Sequence, residues 1–98
     1  MNPTLAPECA EYLLERYGDG NRFVHSRLIS NDLDVRAAEI GKVLAAFRDN
    51  GLLDVWGRNG QRYLYKIPDG FPDLLADSPL YNAALDDAID DAQNGAHA

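Results

Sequence analysis

Cysteine occurs once in these 98 residues, as Cys9, so no disulfide can close within the chain. Histidine occurs twice, as His25 and His97, and one cysteine with two distant histidines is a poor ligand set for structural zinc. No run of about eighteen apolar residues is present, which excludes a membrane-spanning helix. The start, Met1-Asn2-Pro3-Thr4, lacks the charged-then-apolar order of a signal peptide, and the expectation is a reduced, cytoplasmic protein. There is no glycine-rich phosphate loop with a lysine, no histidine–carboxylate–nucleophile set and no metal-ligand spacing. The chain therefore reads as a non-enzyme, with no cofactor, no metal and no evident small-molecule ligand. No internal repeat or low-complexity tract suggests more than one small domain.

Lysine is also scarce, with only Lys42 and Lys66 among nine basic residues against sixteen acidic ones. The charge is unevenly placed. Residues 1–21 carry a net −3, residues 22–66 a net +3, and residues 67–98 contain seven aspartates and nothing basic. Overall acidity does not exclude nucleic acid, because the local distribution decides.

Four-residue spacing of Cys9, Leu13 and Tyr17 predicts a helix over about 4–17, capped by Thr4 and stopped at Gly18-Asp19-Gly20. Arg22-Phe23-Val24 reads as a short extended stretch. A second helix is expected from about His25 to Asp32, with Leu28 and Ile29 inward and His25 bonding locally at its start. Asp34 suits a left-handed turn. Ile40, Val43, Leu44 and Phe47 predict a third helix over about 36–50, ended by Gly51. Two strands, 52–56 and 61–67, flank Gly57-Arg58-Asn59-Gly60, a hairpin signal. A three-residue loop would pair Val55 with Tyr63 and Leu53 with Tyr65, collecting these apolar groups with Ile67 on one buried face. Trp56 and Arg62 would then meet on the other face. Pro68, Pro72 and Pro79 mark a linker, Ser78-Pro79 begins a further helix, and the division is a domain at 1–67 followed by linker and acidic helix at 68–98.

This order, carried by Leu28 to Val35, Arg36 to Leu44 and Phe47 to Leu53, resembles the winged helix-turn-helix plan: mainly α with a small β-hairpin, here with an added C-terminal amphipathic helix. Abundant aspartate and alanine with scarce lysine add a resemblance to small, uncharacterised winged-helix proteins of haloarchaea. The resemblance implies binding to double-stranded DNA in transcription regulation, with helix 36–50 in the groove and hairpin 52–67 as the wing. Arg36 and Lys42 are the groove candidates, beside Ala37, Ala38, Gly41 and Ala45, whose small side chains favour reading of shape or backbone over bases. Arg22, Ser26, Arg27, Arg58, Asn59 and Arg62 are the further candidates. The alternative is a winged-helix module that docks another protein without touching DNA.

The tail helix carries an apolar face of Leu80, Tyr81, Ala84, Leu85, Ala88 and Ile89, which needs a cover. A homodimer across that face and packing back on its own domain are both open. A third option sets the aspartates against the basic surface.

Overall fold

The computed structural model describes residues 5–59, 62–80, 89, 90 and 92, with the side chains of Asn59 and Arg62 outside the description. The elements are α1 (Leu5–Gly18), β1 (Phe23–Val24), α2 (Ser26–Leu33), α3 (Ala37–Asp49), β2 (Asp54–Asn59), β3 (Arg62–Lys66) and α4 (Phe71–Ala76). The architecture is mainly helical with one three-stranded antiparallel sheet, ordered β1-β3-β2. Among the described residues no helix is long and apolar enough to cross a membrane.

Each helix forms where one apolar stripe meets local end signals. In α1 the stripe Leu5, Cys9, Ala10, Leu13, Leu14 and Tyr17 is buried. Its end folds back through Asn21 N donating to Arg16 O at 2.8 Å. His25 caps α2: its Nδ1 accepts from Leu28 N at 3.2 Å, satisfying one of the free N–H groups of a first turn. The turn into α3 depends on Asp34 at φ 55°, ψ 45°, left-handed as expected. Ser30 ties that turn from both sides, its backbone carbonyl accepting from Val35 N and its hydroxyl donating to Val35 O. Helix α3 buries Ile40, Val43, Leu44 and Phe47. It closes with Leu52 N on Phe47 O at 2.8 Å and Gly51 N on Arg48 O at 3.0 Å. These are the paired bonds of a Schellman cap, and Gly51, at φ 75°, supplies the left-handed residue it needs.

The hairpin departs from expectation. Val55 pairs with Tyr65, Asp54 with Lys66, Arg58 with Tyr63 and Asn59 with Arg62, with a shift in register between Val55 and Gly57. Residues 60 and 61 alone separate the last pair, so the three-residue loop and the Val55–Tyr63 and Leu53–Tyr65 pairs are overturned. Leu53 is buried before β2 begins, so its burial places no demand on cross-strand pairing. The irregularity at Trp56 then adds a residue to β2, displacing the pairs nearer the tip. Tyr65 is in the core; Val55, on an edge strand, and Tyr63 remain exposed. In the central strand, Tyr65 also pairs with Val24 of β1.

Residues after 67 are no mere linker. Gly70, left-handed at φ 78°, leads into α4, where Pro72 costs nothing in the first turn and Phe71 and Leu75 are fully buried. Gly70 N donates to the Tyr17 hydroxyl at 3.0 Å, and the Tyr17 and Phe71 rings are 6.4 Å apart. Farther on, Leu80 N donates to Ser78 Oγ at 3.1 Å, and the helix expected to follow Ser78-Pro79 falls largely on residues 81–88, outside the described residues. Ile89 and Ala92 join the same core as α1, and a Cβ placed on Gly18 would stand 3.5 Å from Ala92 Cα. Of the two covers open to the tail, Ile89 therefore has its own domain. The core is one cluster running from Leu5 to Ala92, with no buried polar or charged residue among those described.

Candidate nucleic-acid interface

Burying Ile40, Val43, Leu44 and Phe47 against α1 and α2 turns the rest of α3 outward. Arg36, Ala37, Ala38 and Lys42 are exposed. Arg36 stands at the N-cap with extended backbone, and its side chain makes no capping bond. Lys42 is 68% exposed and lies 3.8 Å from Glu39 Oε1, one helical turn away. An ion pair this exposed is worth about 0–1 kcal/mol and yields easily to another anion. Arg27, the second residue of α2, is exposed, and Ser26 before it is half-buried.

Arg22 has a different place. Its guanidinium lies 3.9 Å from the Tyr17 ring centroid, Nη1 donates to Tyr17 O at 2.8 Å, and Nε is 3.8 Å from Asp69. These contacts fasten the α1–β1 turn to the segment before α4, so Arg22 serves the fold. Arg58 is exposed on β2 with its guanidinium carbon 5.4 Å from the Tyr63 ring centroid. The backbones of Asn59 and Arg62 pair at the hairpin end, far along the strands from Trp56. Lys66 approaches Trp56, with Nζ 4.9 Å from its ring centroid. Of the expected tail-face residues, Leu80 is half-buried against the core and Ile89 is inside it. Tyr81, Ala84, Leu85 and Ala88 lie outside the described residues.

Two groupings go beyond the expected set. Arg48, in the last turn of α3, reaches to 6.0 Å from the Tyr63 ring centroid while its Nε bonds Asp49 Oδ1 at 3.2 Å. Asp49 raises the Arg48 pKa above its ordinary value. Burial pushes the neighbouring Tyr65 hydroxyl up, with Arg48 pulling against it. Only the correct hairpin register brings Arg58 opposite Tyr63, so the sequence holds no usable signal for this cluster. The other grouping lies on the second face of the sheet, where Phe23 and Trp56 meet edge-on at 5.5 Å, 41% and 59% exposed.

The outer side of α1 is chemically opposite. Glu8, Glu11, Tyr12 and Glu15 line an open cleft of about 310 Å³ with Leu33. Tyr12 donates to Asp32 Oδ2, and burial together with that carboxylate pushes its pKa up to about 12. A phosphate backbone would be repelled here. Cys9 is buried beneath, its thiol pushed up to about 11 by burial and by Glu8, which leaves it without thiolate at neutral pH. Among the described residues no three acidic, histidine or cysteine side chains are placed to hold a metal ion.

A family model matches residues 4–59, from α1 through the end of β2. The chain belongs to that family, a domain of unknown function designated DUF7123. No curated protein and no solved structure matches it.

Proposed function

We propose that this chain is a DNA-binding winged-helix protein and a transcriptional regulator, with α3 entering the major groove and β2–β3 acting as the wing. The observation carrying this reading is the surface of α3 itself. A helix held by its apolar side behind a tight left-handed turn presents Arg36, Ala37, Ala38 and Lys42 outward, followed directly by a hairpin bearing Arg58. Small side chains allow close approach to a duplex, and the two cations supply phosphate or guanine contacts. The element order and the β1-β3-β2 sheet support the winged-helix assignment. Recognition by shape and backbone fits this surface better than dense base reading, and haloarchaeal origin fits the composition. A homodimer, if formed through the tail, would draw on Leu80 and residues 81–88, because Ile89 already has a cover.

The test is fluorescence anisotropy with labelled genomic duplex fragments across a salt series, comparing wild type with R36A/K42A. The expected result is salt-dependent binding that the double variant weakens, with the slope of log K against log salt reduced by about 0.9 for each phosphate no longer engaged. A folded protein that binds no duplex at any salt would overturn the reading. The exposed Phe23–Trp56 pair favours a second reading in that event, a protein-docking module, since exposed aromatics commonly anchor protein interfaces.

A further inference from the structure

We infer that Arg48, Tyr63 and Arg58 form a phosphate-contact site where the last turn of α3 meets the tip half of the hairpin; this rests on the DNA-binding reading and adds Arg48 and Tyr63 to its contact set. The three side chains come from three elements: the last turn of α3, β3 and β2. Both guanidinium carbons lie within 6.0 Å of one tyrosine ring centroid, Arg48 at 6.0 Å and Arg58 at 5.4 Å. Tyr63 is 37% exposed, so the ring that holds the two cations is open to solvent rather than sealed in the core.

Physical chemistry favours an anion at such a place. Two guanidinium groups around one exposed ring place forked N–H donors side by side, the arrangement that suits phosphate oxygens. Asp49 is the carboxylate bonded to Arg48, through Nε alone, and both partners are accessible. Arg48 also bonds the Tyr65 hydroxyl, and the guanidinium N–H groups beyond these are of the kind that bond phosphate oxygens, while Tyr63 brings a hydroxyl capable of donating a further bond. The ring also limits the freedom of two long side chains, which lowers the entropy cost when they engage a ligand. A duplex backbone running past the end of α3 toward the hairpin meets this cluster, whereas the α1 side offers glutamates.

The experiment uses the full chain and one duplex fragment, measuring affinity across the salt series for wild type, R48A, R48K, R58A and R36A/K42A. Thermal melting confirms that each variant is folded. R48A is expected to weaken binding about equally on unrelated sequences and to lower the salt slope by about 0.9, with R48K restoring the slope. R58A should show the same signature. Unchanged affinity and slope in R48A and R58A, beside a loss in R36A/K42A, would overturn the phosphate site and leave the groove reading standing. Loss of affinity in R48A with an unchanged slope would overturn it as well, because that pattern belongs to damaged packing. Wild type failing to bind duplex at any salt overturns both.

Discussion

Tyrosine and arginine meet at the α1–α4 side and again at the hairpin, and these two meetings serve opposite ends. At the α1–α4 side, Arg22 lies over a nearly buried Tyr17 at 3.9 Å, donates to that residue's carbonyl, and approaches Asp69. The Tyr17 hydroxyl is itself occupied by Gly70 N. At the hairpin, Arg58 and Arg48 approach Tyr63 more loosely, at 5.4 and 6.0 Å, around an exposed ring. The side chains are of the same kinds in both places. Burial makes the difference: where water is excluded, each polar group must be satisfied inside the fold, so the pair becomes a fastener. Where water remains, the same groups hold a geometry and can still exchange partners.

The comparison can be broken most forcefully on its closed side. Phe71→Ala, removing a fully buried ring beside Tyr17, should cost about 3–5 kcal/mol in chemical denaturation. A loss under about 1 kcal/mol would show that α4 is not part of the cooperative core. The same side should be sensitive to alkali through Cys9. Its thiol titrates near 9 when unfolded and near 11 when folded, so the folded state holds the proton longer. Stability attributable to this group is complete below pH 9 and declines as pH rises toward 11, by up to about 1.4 kcal/mol per unit. Cys9→Ala should flatten that part of the pH–stability curve.

Smaller effects sharpen the contrast. Tyr17→Phe leaves Gly70 N–H without its acceptor and should cost about 1–2 kcal/mol, and Arg22→Ala should fall in the same range. The matched changes at the hairpin, Tyr63→Phe and Arg58→Ala, should alter stability by less than about 0.5 kcal/mol. Their effect should appear in DNA affinity instead. Equal destabilisation by Tyr17→Phe and Tyr63→Phe would dissolve the distinction between the two sites.

Much of the candidate site is legible from local pattern. The outward positions of Arg36 and Lys42 follow from the 3.6-residue period once Ile40, Leu44 and Phe47 are taken as the inward stripe of α3, and that of Arg27 follows from Ile29 inward on α2. Arg22 misleads because a basic residue beside a helix start looks alike whether it faces solvent or a tyrosine packed over it. Arg48 escapes notice for the converse reason: its neighbour Asp49 explains it locally, while Tyr63 lies across the hairpin. Helix α4 reads as linker, since prolines and aspartates disguise the spacing of Phe71 and Leu75.

Sequence alone determined the features whose causes lie within a few residues. The histidine cap of α2, the left-handed Asp34, the Gly51 cap of α3 and the inward stripes of α1 and α3 are of this kind. Such features depend on backbone sterics and on donors and acceptors one turn apart, and the identity of neighbouring residues is enough to set them. Tertiary structure decided the hairpin register, the place of α4, the cover over Ile89 and the separate fates of Arg22 and Arg58. Each of these turns on which surface excludes water, and that is settled only when segments distant in the chain come together.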